Sequence, residues 1–128
     1  MSRGRERHDA HQAALAGLGR ALSRRAGNAC ELCGARGSLQ VVELPGGPEE
    51  PEPDWALMLD APCQALASAS RFRDPDAMRF LETTAWSETR PAQILAVRML
   101  RQLAQDDVVW ARDCVDGLYL DPEVEALI

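Results

Sequence analysis

Cys30-Glu31-Leu32-Cys33-Gly34 is the stretch best equipped for chemistry. Two cysteines three apart form half of a tetrahedral metal site, and a glycine behind the second lets backbone N–H groups approach the sulfurs. The expected other half is a second such pair. Downstream stands Cys63, and the position three before it holds Asp60. The candidate ligand set is therefore Cys30, Cys33, Cys63 and Asp60. A carboxylate oxygen can bind zinc at ~2.0–2.2 Å, but three soft sulfurs and one hard oxygen match it less well than four sulfurs. Three readings follow, in order of preference: a degenerate site that has lost its metal, zinc held by three cysteines with Asp60 or water, and a redox CxxC. Ligand atoms that share a zinc must converge to ~3.5–4 Å of one another.

Other reactive residues carry less. Cys114 lies at helical spacing with Ala111, Val115 and Leu118 and reads as a small buried hydrophobe. His8 and His11 are one helical turn apart with no third ligand nearby. Trp86-Ser87-Glu88 reads as a helix entry, with Ser87 or Thr89 capping and Trp86 stapling the junction. Residues 45–48 lack the Lys-Ser/Thr that a phosphate loop needs. A metal-dependent hydrolase built on a cluster of histidines and carboxylates finds no counterpart in a chain with two histidines, both N-terminal.

The chain has 128 residues, 46 % hydrophobic and 27 % charged, which suffices for a real core without a metal or disulfide. No run of eighteen apolar residues occurs, and the N-terminus is too polar for a secretory signal. A cytoplasmic, non-membrane protein is expected, in which thiols stay reduced. All basic residues are arginine. Residues 1–36 hold seven arginines against three acids, whereas residues 37–128 hold seven against seventeen. Arg20, Arg24 and Arg25 are the candidate contacts for nucleic acid or an acidic partner; solvated charge is the blander explanation, and nucleic acid is the less favoured partner.

The elements that must position the cysteines can be read in order. Residues 1–8 form an expected disordered basic tail. A helix is expected over 9–25, weakened by Gly17 and Gly19 and capped by Gly27-Asn28. The knuckle follows, then a strand over 39–44, an exposed acidic connector over 45–54, and a returning strand over 55–59. Residues 64–70 read as a short helix. Asp74-Pro75 opens another through residue 82, and Pro91 begins the longest, through residue 105, with a wide apolar stripe. Further helices start after Asp107 and at Asp121-Pro122, and Tyr119 is expected to close the last against the core. The fold class is α+β: a zinc-ribbon-like β-hairpin knuckle flanked by an N-terminal helix and a helical C-terminal half, dividing into 9–70 and 71–128.

Cys30-Glu-Leu-Cys-Gly-Ala35, Trp86-Ser-Glu88 with Pro91-Ala-Gln93 and Val97-Arg-Met-Leu100, and Leu118-Tyr-Leu-Asp121 resemble, in order and spacing, the N-terminal zinc-ribbon region of the alkylphosphonate-utilisation (PhnA) proteins. The resemblance implies a zinc-ribbon-like fold and little about activity. It departs from the family at Asp60, where a ligand cysteine belongs, and in having no C-terminal β-rich domain. The functional expectation is a non-catalytic module acting through contacts with an unnamed protein partner, with a homo-oligomer left open. The alternatives are a small metal-dependent enzyme with an open zinc position, and a weak nucleic-acid binder.

Overall fold

A computed structural model describes residues 3–128. Its fold is α+β, with seven α-helices around one antiparallel pair of strands among the described residues. The strands are β1 (Gln40–Glu43) and β2 (Ala56–Leu59), paired in the register Gln40 to Leu59 and Glu43 to Ala56. All four residues of β2 are buried. Because side chains alternate across a strand, Ala56 and Met58 face one cluster with Leu22, while Leu57 and Leu59 face the main core. The hairpin is thus a wall between two apolar compartments.

The N-terminal helix is two helices: α1 (Arg3–Gly17) and α2 (Gly19–Ala26). The break falls at Leu18, between the two glycines, which contribute neither side-chain packing nor helix propensity. Helix begins at Arg3, so residues 3–8, expected as a tail, are helical; Met1 and Ser2 lie outside the described residues. The run is rich in Arg, Gln and Ala, which favour helix even though α1 buries nothing. It reaches the sheet through half-buried Leu15, packed on the cluster of Leu22, Ala56 and Met58, and through His11 Nε2, 2.7 Å from Glu43 Oε1, so His11 is spoken for by a carboxylate.

Gly27 ends α2 in the left-handed region, and its N–H reaches Arg24 O. The connector over 45–54 folds back against Trp55. A Cβ at Gly47 would come within 2.8 Å of the Trp55 ring, which explains glycine there. Arg98 ties the start of this connector to the C-terminal residues, donating to Pro45 O at 3.0 Å and to Leu127 O at 2.9 Å.

Helix α3 (Ala61–Ser68) follows β2 directly, and residues 75–78 form a 3-10 turn where a longer helix is expected. Helices α4 (Leu81–Thr84), α5 (Arg90–Gln105), α6 (Val109–Asp116) and α7 (Pro122–Glu125) complete the chain. Helix α5 supplies the largest share of the core, including fully buried Ile94, Val97 and Leu100. One buried cluster runs from Cys30 and Cys63 through Leu100 to Val124, so the helical half and the knuckle share a core across residue 70. No described helix is long and apolar enough to cross a membrane.

Two aromatic expectations fail. Trp86 is 53 % exposed and Tyr119 88 % exposed. The junction ahead of α5 is fastened by polar groups instead: Ser87 Oγ accepts from Thr89 N at 3.0 Å, and Gln93 Nε2 donates to Ala85 O at 2.9 Å.

Candidate metal centre

Two short segments build the site. The first is the knuckle between α2 and β1. Cys30 N donates to Ala35 O and Gly34 N to Cys30 O, each at 2.8 Å, which curls the chain around the two sulfurs. Gly34 has φ +84°, a conformation that needs glycine. The knuckle is tied at its back by Thr84, whose hydroxyl donates to Leu32 O at 2.5 Å from α4. Leu32 itself is buried in the core.

The second segment is the first turn of α3. Asp60 is its N-cap: Oδ1 accepts from Cys63 N at 3.0 Å. A cap bonds the amide three residues on, so the spacing that makes Asp60 a cap also sets Cys63 beside it. The other carboxylate oxygen, Oδ2, lies 3.1 Å from Cys33 Sγ. One side chain thereby serves two neighbours, holding the helix with one oxygen and facing the knuckle sulfur with the other.

All four predicted ligands come together. One ligand atom from each of Cys30, Cys33, Asp60 and Cys63 lies within 4.8 Å of the other three, close enough to hold a metal ion. Cys30 and Cys63 are buried, and Cys33 and Asp60 are half-buried. The donor set suits zinc, since thiolates and a single carboxylate oxygen are both among its ordinary ligands and four donors complete a tetrahedron.

Protons hold the ring of donors together when no cation does. The Cys63 thiol donates to Cys30, and with help from nearby backbone amides this draws the Cys30 pKa down to about 5 despite burial. Cys63, holding that proton, is pushed far up. Burial raises Cys33 to about 11. Asp60 is held below the usual carboxylate range, although desolvation opposes this, because the Cys63 amide and the Cys33 thiol favour its ionised form. One thiolate, two thiols and one carboxylate therefore share the site near neutral pH.

Clefts lie on both sides of Cys33. One, of about 590 Å³, runs between the knuckle and Thr83, Thr84 and Trp86. The other, of about 640 Å³, runs along α3 past Asp60 to Phe80. Neither Trp55 nor the acidic connector lines them.

The remaining sequence candidates do not join this site. Cys114 is half-buried and lines a separate cleft with Trp86 and Trp110. Arg25, expected to be a partner contact, is consumed internally: its guanidinium grips both oxygens of Glu31 at 2.8 Å and donates to Pro53 O and Ala56 O. Arg20 and Arg24 are exposed on α2. Sequence reasoning missed Glu31, whose Oε1 also accepts from Met58 N at 2.8 Å and so locks the knuckle to β2. Its position inside the CxxC was the available signal.

No family model matches this chain, and neither the curated proteins nor the solved structures contain a significant match to it.

Proposed function

We propose that this chain is a zinc-stabilised, non-catalytic module that acts through contacts with another protein. Cys30, Cys33, Cys63 and Asp60 hold the ion, and the observation that carries the reading is their convergence within 4.8 Å. The division of labour at Asp60 supports it, because the cap uses Oδ1 and leaves Oδ2 facing the sulfurs. Bound zinc supplies a cross-link between the knuckle and the first turn of α3, a structural role expected of a site with four protein ligands. The 4.8 Å span is wider than the ~3.5–4 Å of a loaded zinc site, so binding the ion draws the four donors inward from positions that already face one another.

The arrangement of knuckle, hairpin and helix start differs from a ribbon in one respect. A ribbon takes both ligand pairs from knuckles, whereas here the second pair sits at a helix N-terminus. The resemblance to PhnA proteins rests on the CxxC and the later motifs, and it is compatible with this reading without adding to it.

Elemental analysis of protein purified without chelator is the test, with cobalt substitution as a second readout. The expected result is one zinc per chain and a cobalt form with tetrahedral ligand-field bands and a sulfur-to-cobalt charge-transfer band. Metal-free protein that also fails to develop the cobalt spectrum sinks the reading.

A second reading, a zinc enzyme with an open position, draws on the cleft of about 640 Å³ beside Asp60. It requires water to replace the Asp60 oxygen, and the cobalt spectrum of such a site would turn five-coordinate on adding azide.

A further inference from the structure

Residues 37–128 carry seven arginines. Arg79, Arg90, Arg101 and Arg112 each face a carboxylate, and Arg98 bonds two carbonyls. Arg71 and Arg73 alone of these seven have no partner among the described residues. Both line the same cleft, the one of about 640 Å³ along α3. Phe72, between them, packs against the core.

The rest of this cleft is apolar. Leu66 from α3, Met78 from the 3-10 turn and Phe80 form its floor. Two acids also line it, Asp60 and Asp74. Both oxygens of Asp60 are already engaged, one by the Cys63 amide and one by the Cys33 thiol. Asp60 keeps its charge but is turned to those two partners, so Arg71 and Arg73, beside Asp74, are the polar groups of this cleft left to meet a ligand. An apolar concavity of this size with a few placed polar groups is the usual form of a small-molecule site. A guanidinium binds carboxylate or phosphate oxygens through paired N–H donors, and the apolar lining favours the singly charged carboxylate over a more strongly hydrated phosphate.

We propose that this cleft binds a small organic carboxylate with an apolar body. The carboxylate is taken by Arg71 and Arg73, and the body lies on Leu66, Met78 and Phe80. The site stands independently of the zinc reading, since Cys33 and Asp60 contribute only to its wall.

Octanoate is the probe, titrated into the isotope-labelled full chain and followed by amide chemical shifts. Octan-1-ol and octylammonium control for the tail and the charge. Shifts are expected to cluster at residues 62–66, 71–73 and 77–80, with octanoate binding about tenfold tighter than octan-1-ol, as a charge-assisted pair should provide. The R71Q/R73Q double variant should lose that advantage while its thermal melt stays unchanged, because both side chains are on exposed residues. Asp74→Asn should tighten octanoate. A tripeptide ending in leucine offers the same carboxylate on a peptide and should bind more weakly. Equal binding of octanoate and octan-1-ol, shifts mapped elsewhere, full octanoate affinity in the double variant, or tighter binding of the tripeptide would each overturn the assignment. Zinc content measured on the same samples separates this outcome from failure of the metal reading.

Discussion

Asp60 concentrates most of the argument in one side chain. As a cap it satisfies the Cys63 amide with one oxygen, and with the other it accepts from the Cys33 thiol. The two roles separate by mutation. Asp60→Asn keeps an oxygen for the cap and removes the charge, so zinc affinity should fall by about tenfold or more with little loss of metal-free stability. Asp60→Ala loses both, adding roughly 1 kcal/mol of destabilisation from the missing cap. Asp60→Cys should tighten zinc by completing four thiolates. Competition against a chromophoric chelator reads all three, and unchanged affinity in Asp60→Asn would remove Asp60 from the ligand set. The proton inventory gives a second prediction. Cys30, with its pKa near 5, is already a thiolate at neutral pH, while Cys33, raised to about 11, and Cys63, raised further, are not. Loading zinc should therefore release two protons, and affinity should rise by about a hundredfold per pH unit between pH 6 and 8. Calorimetry in buffers of different ionisation enthalpy counts them; one or three would contradict the charge pattern. The sign follows from competition: lowering pH protonates donors and expels the metal. At this scale the sequence was informative where spacing is the mechanism, as in Cys30-x-x-Cys33 and Asp60-x-x-Cys63. It offered Arg25 as a partner contact and did not see its internal role, because the carbonyls of Pro53 and Ala56 that engage it are brought near only by the hairpin.

Between elements, the Arg25–Glu31 pair is the principal polar fastening. The Glu31 side chain is only 4 % exposed, yet its two oxygens take the guanidinium and the Met58 amide together. Glu31→Gln leaves one fewer charge-assisted bond and an unmatched guanidinium, so urea unfolding should show a loss of about 2 kcal/mol. Arg25→Lys should also destabilise, because an ammonium cannot reach both oxygens of Glu31 and two carbonyls. Gly47 offers a steric counterpart. A Cβ there meets Trp55 at 2.8–3.0 Å, so Gly47→Ala must push the ring aside, at a cost of roughly 1–3 kcal/mol, and should alter Trp fluorescence. Helix starts at Pro91 and Pro122 and the stop at Gly27 were legible, because proline and glycine act locally on the backbone. The split of the first helix was half-legible: its two glycines were seen as weak points, but only packing of α2 against β2 decides that the chain bends there. Trp86 and Tyr119 were misread because aromatic character says nothing about which way a side chain faces once its element is placed.

For the molecule as a whole, the decisive fact is that the knuckle does not have its own core. Cys30, Leu32 and Cys63 belong to the same cluster as Leu100 and Leu103. Removing metal should therefore loosen one wall of a larger body and leave its helices standing. Far-UV circular dichroism in excess chelator should keep most of the helical signal while the melting temperature drops; collapse of the helical signal would show that zinc, and not α5, organises the core. The α+β class could be read from the order of strand and helix patterns. The shared core could not, because it depends on distant contacts such as Thr84 to Leu32. The two-faced strand β2 carries a further consequence, for how much change this chain can absorb. Its neighbours on either side read alternate residues, so a slip of a single residue would exchange Ala56 and Met58 with Leu57 and Leu59 and drag Asp60 out of reach of the knuckle. The connector ahead of it is under no such discipline at its tip, where Glu49 and Glu50 are exposed. Length there is free and length in the strand is forbidden. A label or a foreign peptide belongs between those two glutamates, where it would leave Asp60 and the cysteines in step.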